Sequence, residues 1–293
     1  MFNYYERVRS RPQIYNQLAC RELLFVHYEC PMEANKQDSW SQHNYIQYIL
    51  SGKKAYHTPS RSWLMKCGDA FFVKKGAWII EKFFEEPLCI MTFFIPDSYL
   101  QSFIRENNSL RKASPAAPPK NELLIPLQSN SIMTAYFDSL LPYFYSETKP
   151  SEHLLELKFR ELLLNILDNP ENDELKNFML LLLSPQHESF QRVMEANCLY
   201  NLSLQDYAKL VNLSLSSFKR HFISVYKTTP GHWLQERKLN HAYRLLVSSD
   251  KPITDISFES GFENSTHFSH LFKKRFGLSP LKYRKENIVS GVS

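Results

Sequence analysis

Glycine is scarce in this chain of 293 residues: there are 7, and no stretch is low in complexity. That scarcity argues against a fibrous or disordered chain. Cysteine is scarce as well. The five present, Cys20, Cys30, Cys67, Cys89 and Cys198, are odd in number, scattered, and include no CxxC pair. Such a set argues against a disulfide framework and a cysteine-based zinc site, and suits a reducing cytosol. Long apolar runs are missing. The longest, Phe178 to Leu183, falls far short of the ~20 residues that a membrane-spanning helix needs. The opening Met1 to Pro12 is polar and charged and lacks the apolar core of a secretion signal. No P-loop, GxGxxG fingerprint or nucleophile elbow occurs. A cytoplasmic location without membrane association is expected.

What is present is enough for two domains, at roughly 100–200 residues each. Hydrophobic residues make up 43% and charged residues 22%, ordinary values for a globular protein. The net charge of +5 is unevenly spread. From His187 to Ser293 there are 15 Lys+Arg against 9 Asp+Glu, a net of +6, which leaves the preceding part near neutral at −1. Six of the 10 His also lie in that last part. A neutral first part and a basic last part suggest sensing in one and polyanion binding in the other.

The first part is rich in aromatic and β-branched residues in short runs. Leu23–His27, Tyr45–Leu50, Ala70–Val73, Trp78–Ile80 and Cys89–Ile95 read as strands. Ser51-Gly52, Thr58-Pro59, Gly68-Asp69, Gly76 and Pro87 punctuate them, a spacing that suggests a sandwich or barrel. Residues 111–120, rich in Pro and Ala, read as an irregular loop. Helical spacing then follows over Ile132–Tyr145, His153–Leu167 (through Leu154, Leu157, Arg160-Glu161 and Leu164) and Glu171–Leu183. Ser184-Pro185 breaks the chain and marks a boundary.

The last part contains a repeat. Ser203-Leu-Gln-Asp206 is a capping box, so a helix should run from Leu204 to about Leu210. Val211-Asn212-Leu213 is a turn, with Asn212 suited to the left-handed conformation and Leu213 buried. A second helix follows from about Ser214 to Lys227, with Leu215, Phe218, Phe222 and Val225 inside and Ser216, Lys219, Arg220 and Ile223 on another face. About fifty residues on, Ile253, Ile256 and Phe258 mark a short helix, Gly261 and Phe262 the turn, and Ser265 to Phe276 the next helix. Phe268, Leu271, Phe272 and Phe276 point inward there; Thr266, Ser269, His270 and Lys273 form its outer stripe. Thr229-Pro230 and Ser279-Pro280 each read as a cap followed by Pro at the first helical position. Two short helices joined by a tight turn form a helix-turn-helix, whose second helix enters the DNA major groove. A helix from Pro230 to about Val247 should join the two units.

These residues resemble the DNA-binding domain of the AraC family of bacterial transcription regulators. The likeness is carried by Ile253, Ile256-Ser257, Gly261-Phe262, Phe268-Ser269, Phe272-Lys273, Phe276-Gly277, Ser279-Pro280 and Tyr283-Arg284. In the first unit it is carried by Leu204, Tyr207-Ala208, Ser214, Ser216, Phe218, Arg220, Phe222 and Pro230. Ser257 departs from the family, which usually has Ala there. The N-terminal part is similar to the cupin-like regulatory domain of the ExsA type. Tyr48-Ile-Leu-Ser-Gly52, Cys67-Gly-Asp-Ala-Phe-Phe-Val-Lys-Lys-Gly76, Ile95-Pro96 and Tyr99 to Phe103 carry that similarity.

The resemblances imply an α+β fold: an N-terminal cupin-like β-barrel with trailing helices, then an all-α domain of two helix-turn-helix units joined by a long helix. The expected divisions are a regulatory domain at 1–126, a helical connector and dimerisation segment at 127–186, the DNA-binding domain at 187–287 and a tail at 288–293. They also imply double-stranded DNA and RNA polymerase as partners, a homodimer, and an effector that is a small molecule or a protein. The ExsA-type likeness implies self-association and binding of protein regulators. Activation is the family's usual mode; repression by the same domain stays open.

The DNA-contact candidates are Ser214, Ser216, Lys219 and Arg220 in the first unit. In the second they are Ser265, Thr266, His267, Ser269, His270, Lys273 and Lys274. Arg bonds guanine in bidentate fashion, while Lys, Ser and Thr serve bases or phosphates. His267 and His270 form an HxxH without further ligands in the motif, and no metal or cofactor is expected. His43 and His57 lack the paired spacing of metal-binding cupin enzymes, so catalysis is not expected. Trp40, Tyr45, Tyr48, Trp63 and Trp78 either line a ligand pocket or fill a small barrel.

Overall fold

The computed structural model describes residues 1–30, 36–59, 61–83, 85–107, 110, 122–183 and 190–290. The chain divides into two compact units, Met1–Ser189 and Phe190–Ser293. The stretch 111–120 and the Ser184-Pro185 break lie outside the described residues.

The first unit is built on two sheets. Strands β1 (Phe2–Asn3), β4 (Lys36–Ser41), β9 (Gly76–Phe83), β6 (Lys53–His57) and β7 (Ser62–Lys66) lie side by side in that order. The second sheet has the order β11 (Leu124–Leu127), β8 (Ala70–Val73), β5 (Asn44–Ser51), β10 (Cys89–Ile95), β3 (Leu23–Glu29) and β2 (Asn16–Cys20). All pairings are antiparallel except β1 with β4. One core lies between the sheets, where Tyr45, Ile49 and Phe94 of the six-stranded sheet meet Tyr56, Trp63 and Trp78 of the other. This is the barrel-like sandwich that the punctuated strand runs imply.

Side chains alternate across a strand, so Leu24 and Val26 face that core while Leu23 and Phe25 face the other way. The other face of the six-stranded sheet is covered by α2 (Asp97–Glu106), α3 (Ser131–Tyr145), α4 (Glu152–Leu167) and α5 (Asp173–Leu181). Tyr48 stacks on Phe137 of α3 with ring centroids 4.0 Å apart. Because both faces of β3 and β5 are buried, these strands, though interrupted inside by His27 and Gln47, are mostly apolar and aromatic along their length, which made them legible. β4 and β6 were not foreseen: with Lys36, Gln37 and Asp38 in one and Lys53 and Lys54 in the other, they do not read as apolar runs. The short α1 (Tyr4–Arg9) was also unforeseen; Asn3 caps it by accepting from the Glu6 N–H at 3.0 Å.

The helices α3, α4 and α5 share one core with the sheet. In α4 the buried face is Leu155, Phe159, Leu162, Leu163 and Ile166. Of the leucines at helical spacing, Leu157 and Leu164 point outward, 50% and 42% exposed. In the expected Glu171–Leu183 helix, a 3-10 turn over Pro170–Asn172 precedes α5, which ends at Leu181. The five aromatic pocket candidates are all buried. Tyr45 and Trp78 lie between the sheets, whereas Tyr48 faces the helices. His57 is held by Ser62 and Glu81 at 2.7 and 2.8 Å, and His43 lies edge-on to Tyr5. A buried ion pair fixes α2: Lys75 Nζ lies 2.7 Å from Asp97 Oδ2, and Asn44 donates to Oδ1 of the same carboxylate.

The second unit is all helical among its described residues: α6 (Phe190–Asn197), α7 (Leu204–Leu210), α8 (Leu215–Tyr226), α9 (Pro230–Ser248), α10 (Ile253–Glu259), α11 (Ser265–Phe276) and α12 (Pro280–Ser290). No described helix of the chain is long and apolar enough to cross a membrane.

Candidate nucleic-acid interface

The first helix-turn-helix is α7 and α8. Ser203 caps α7 in the expected box, its Oγ accepting from the Asp206 N–H at 3.1 Å while the Asp206 carboxylate accepts from the Ser203 N–H at 3.0 Å. Asn212 makes the turn in the left-handed region, at φ 56°. Ser214 then caps α8, accepting from the Ser217 N–H at 3.2 Å. Phe218 and Phe222 are fully buried. They pack against Phe190 of α6, a helix of eight residues that the sequence reading missed. Tyr207 anchors the same core, its hydroxyl donating to the Asn197 carbonyl at 2.7 Å, and burial pushes its pKa far above the ordinary tyrosine range.

The second unit, α10 and α11, repeats this plan at an offset of fifty positions, with Phe268 and Phe272 in the places of Phe218 and Phe222. Its core also holds Leu239, Ala242 and Leu246 of α9, together with Ile256 and Phe262. Gly261 makes the turn at φ 80°. A Cβ there would sit 2.1 Å from the Leu199 carbonyl oxygen, so glycine is required by backbone approach as well as by φ. Lys238 of α9 pins the same place, donating to the Gly261 carbonyl at 2.7 Å and to Asn201 Oδ1 at 2.8 Å. Burial lowers its pKa, with Glu263 opposing the shift. The turn of the second unit is thereby fastened to the loop that leads into the first.

On α8 the outward stripe is Ser216, Lys219, Arg220 and Ile223, all exposed. On α11 the equivalent stripe is Thr266, Ser269, His270 and Lys273; Ser269 is half-buried and the others are exposed. His267 and Lys274 are exposed beside that stripe, and Ser265, the first residue of α11, is half-buried. Among the described residues, Lys219, Arg220, Lys273 and Lys274 make no ion pair or side-chain hydrogen bond. Several other cations of this unit are engaged: Arg237 with Glu195, Lys251 with Glu259, Arg275 with Glu236, and Arg284 with the Lys251 carbonyl. Positive charge is therefore left free on the second helix of each helix-turn-helix. Ser214 differs from the other candidates, since its hydroxyl is occupied by the cap and by Ser217 Oγ at 3.0 Å.

Other expectations need correction. Leu213 is 37% exposed, so it is not the buried turn residue expected. Leu215 is 36% exposed and Val225 half-buried, which narrows the inward face of α8. Thr229 is the N-cap of α9, but its hydroxyl makes no capping bond, and Pro230 at the first position does the work of fixing the start. The cap of α11 was overlooked: Asn264 accepts from the Thr266 and His267 N–H groups at 2.8 and 3.1 Å. It occupies the position of Ser214 in the repeat, and that alignment was the available signal.

Two family models match the chain, one in each compact unit. The ExsA N-terminal regulatory domain matches residues 44–178, and a helix-turn-helix domain matches residues 207–286. The virulence regulon transcriptional activator VirF of Yersinia enterocolitica is 25% identical over 245 residues, covering 84% of this chain and 90% of its own. The helix-turn-helix transcriptional regulator ExsA of Pseudomonas aeruginosa is 24% identical over 271 residues, covering 92% and 94%. Among solved structures, apo ToxT of Vibrio cholerae aligns with a TM-score of 0.43 at 14% identity, covering 89% of this chain and 96% of its own. Residues 44–178 thus match an ExsA-type regulatory domain and residues 207–286 a helix-turn-helix domain, the pairing seen in AraC-type regulators, and the chain is a DNA-binding transcription regulator.

Proposed function

We propose that the chain is a transcription activator that sets α8 and α11 into successive major grooves of one promoter site. The observation that carries this reading is the pair of outward stripes at equivalent positions, with Lys219, Arg220, Lys273 and Lys274 unpaired. The 19 residues of α9 span about 28 Å at roughly 1.5 Å each. That length suits grooves repeating at about 34 Å along one face of the duplex. In this reading Arg220 reads a base, Lys219 and Ser216 serve a base or phosphate, and Lys273 and Lys274 hold phosphates. Thr266, His267, Ser269 and His270 make fewer, uncharged contacts. Ser265 and Ser214 lie at helix N-termini, where a phosphate is favoured by the backbone N–H groups.

The remaining assignments rest on the same reading. DNA binding resides in 187–287, regulation in 1–126, and dimerisation in 127–186, where Leu157 and Leu164 offer an exposed apolar stripe on α4. RNA polymerase is the target of activation, and the location is cytoplasmic, in keeping with five free cysteines. The effector is a protein in this reading, because the space between the sheets is occupied by Tyr4, Tyr45, Tyr56, Trp78 and Phe94 in mutual ring contact. Selection of bound sequences from random DNA by the full chain tests the proposal. Two half-boxes about one helical turn apart, with transcription rising from a promoter that carries them, are expected. Enrichment of no sequence, with binding that only fades with salt, would overturn tandem readout; a fall in transcription would make the chain a repressor.

A further inference from the structure

Three metal-ligating side chains converge where the end of α3 meets the six-stranded sheet. His27 and Glu29 are two apart on β3 and so share a face, and Cys89 of β10 pairs directly with Glu29. One nitrogen, one sulfur and one carboxylate oxygen from these residues all lie within 4.8 Å of one another. Among the described residues this is the only grouping of its kind. Cys89 Sγ is 3.1 Å from His27 Nε2. In tetrahedral zinc coordination a sulfur and a nitrogen ligand sit about 3.5 Å apart, so a shift of a few tenths of an ångström would admit the ion.

Tyr145, the last residue of α3, sets the imidazole for this role. Its hydroxyl lies 3.0 Å from His27 Nδ1 and donates to Glu29 Oε1 at 3.4 Å. A hydroxyl has one proton to give. With that proton directed at the carboxylate, Nδ1 keeps its hydrogen and donates to the tyrosine oxygen, and the Nε2 lone pair faces Cys89. An outer hydrogen-bond partner that fixes the other ring nitrogen is the usual support of a metal-bound histidine. His27 is 3% exposed and packs against the Phe144 ring, so it is held; Glu29 is exposed and free to swing inward. The site is thus fixed on its sheet side and open on its solvent side.

We propose that His27, Glu29 and Cys89 form a site for Zn²⁺ or a similar divalent transition metal, with Tyr145 orienting His27. Imidazole and thiolate donors select such ions over Mg²⁺ or Ca²⁺, which prefer oxygen. The fourth position is left to water, and the thiol proton of Cys89 passes to solvent as the metal–sulfur bond forms. Through Tyr145, occupancy would fasten the end of α3 to the sheet it covers.

The test is titration of the purified, chelator-stripped full chain with Co²⁺, followed by displacement with Zn²⁺. One equivalent per chain is expected, with a sulfur-to-cobalt charge-transfer band and tetrahedral visible bands. The charge-transfer band should vanish in Cys89→Ala and persist in Cys67→Ala, since Cys67 is an exposed thiol elsewhere. Glu29→Gln and Tyr145→Phe alter exposed side chains and keep the fold, as circular dichroism would verify. Each should weaken affinity by about 10-fold or more. A native chain without the sulfur band, a band that survives in Cys89→Ala, or unchanged affinity in both Glu29→Gln and Tyr145→Phe would overturn the proposal.

Discussion

The outward stripe of α8 carries Ser216, Lys219, Arg220 and Ile223, and the same positions of α11 carry Thr266, Ser269, His270 and Lys273. Beneath the stripes the two units hardly differ: paired buried phenylalanines, a left-handed turn residue, and a polar cap ahead of the second helix. One scaffold is thus finished twice with different chemistry. A guanidinium with five donors at the centre of the first stripe suits bidentate base reading. Hydroxyl and imidazole groups in the second suit weaker contacts and recognition of DNA shape, with its charge displaced toward the end of the helix. Repetition of the fold within a chain leaves its exposed positions free to carry different chemistry.

The largest expected effects test the shared scaffold. Phe222→Ala and Phe272→Ala each empty a fully buried position and should destabilise the unit by about 3–5 kcal/mol in denaturant unfolding. Equal costs would support two equivalent cores; a loss confined to one would break the symmetry. The turns come next and should differ. Gly261→Ala places a Cβ against the Leu199 carbonyl at positive φ and should cost roughly 1–3 kcal/mol. Asn212→Gly keeps a permissive residue at φ 56° and should stay within about 0.5 kcal/mol of the parent. The caps are smallest: Ser214→Ala and Asn264→Ala should each lower thermal stability by about 1 kcal/mol. A null result for Asn264→Ala would remove the equivalence of the two caps.

The legibility of these features in the sequence followed their physics. The repeat, the capping box at Ser203 and the left-handed turn at Asn212 are local, and local chemistry leaves its mark in adjacent residues. Leu213 misled because apolar character alone does not reveal which way a side chain faces. Leu157 and Leu164 lie at helical spacing, yet the buried face of α4 runs through Leu155, Phe159 and Leu162 instead. The His27–Glu29–Cys89 cluster was invisible because 60 positions separate Glu29 from Cys89, and only the pairing of β3 with β10 joins them. Among the contact candidates, residue type pointed to charge and polarity. Which cations are already engaged by carboxylates, as Arg237, Lys251 and Arg275 are, needed the fold.

Whether α8 reads bases more strongly than α11 is decided by measuring the affinity of Arg220→Ala and His270→Ala full-length chains for a selected site and for each of its single-base variants. Arg220→Ala should lose about 1–3 kcal/mol and become indifferent to one base position, while His270→Ala should lose less and keep its preferences. A larger loss, with relaxed specificity, for His270→Ala than for Arg220→Ala would contradict the account.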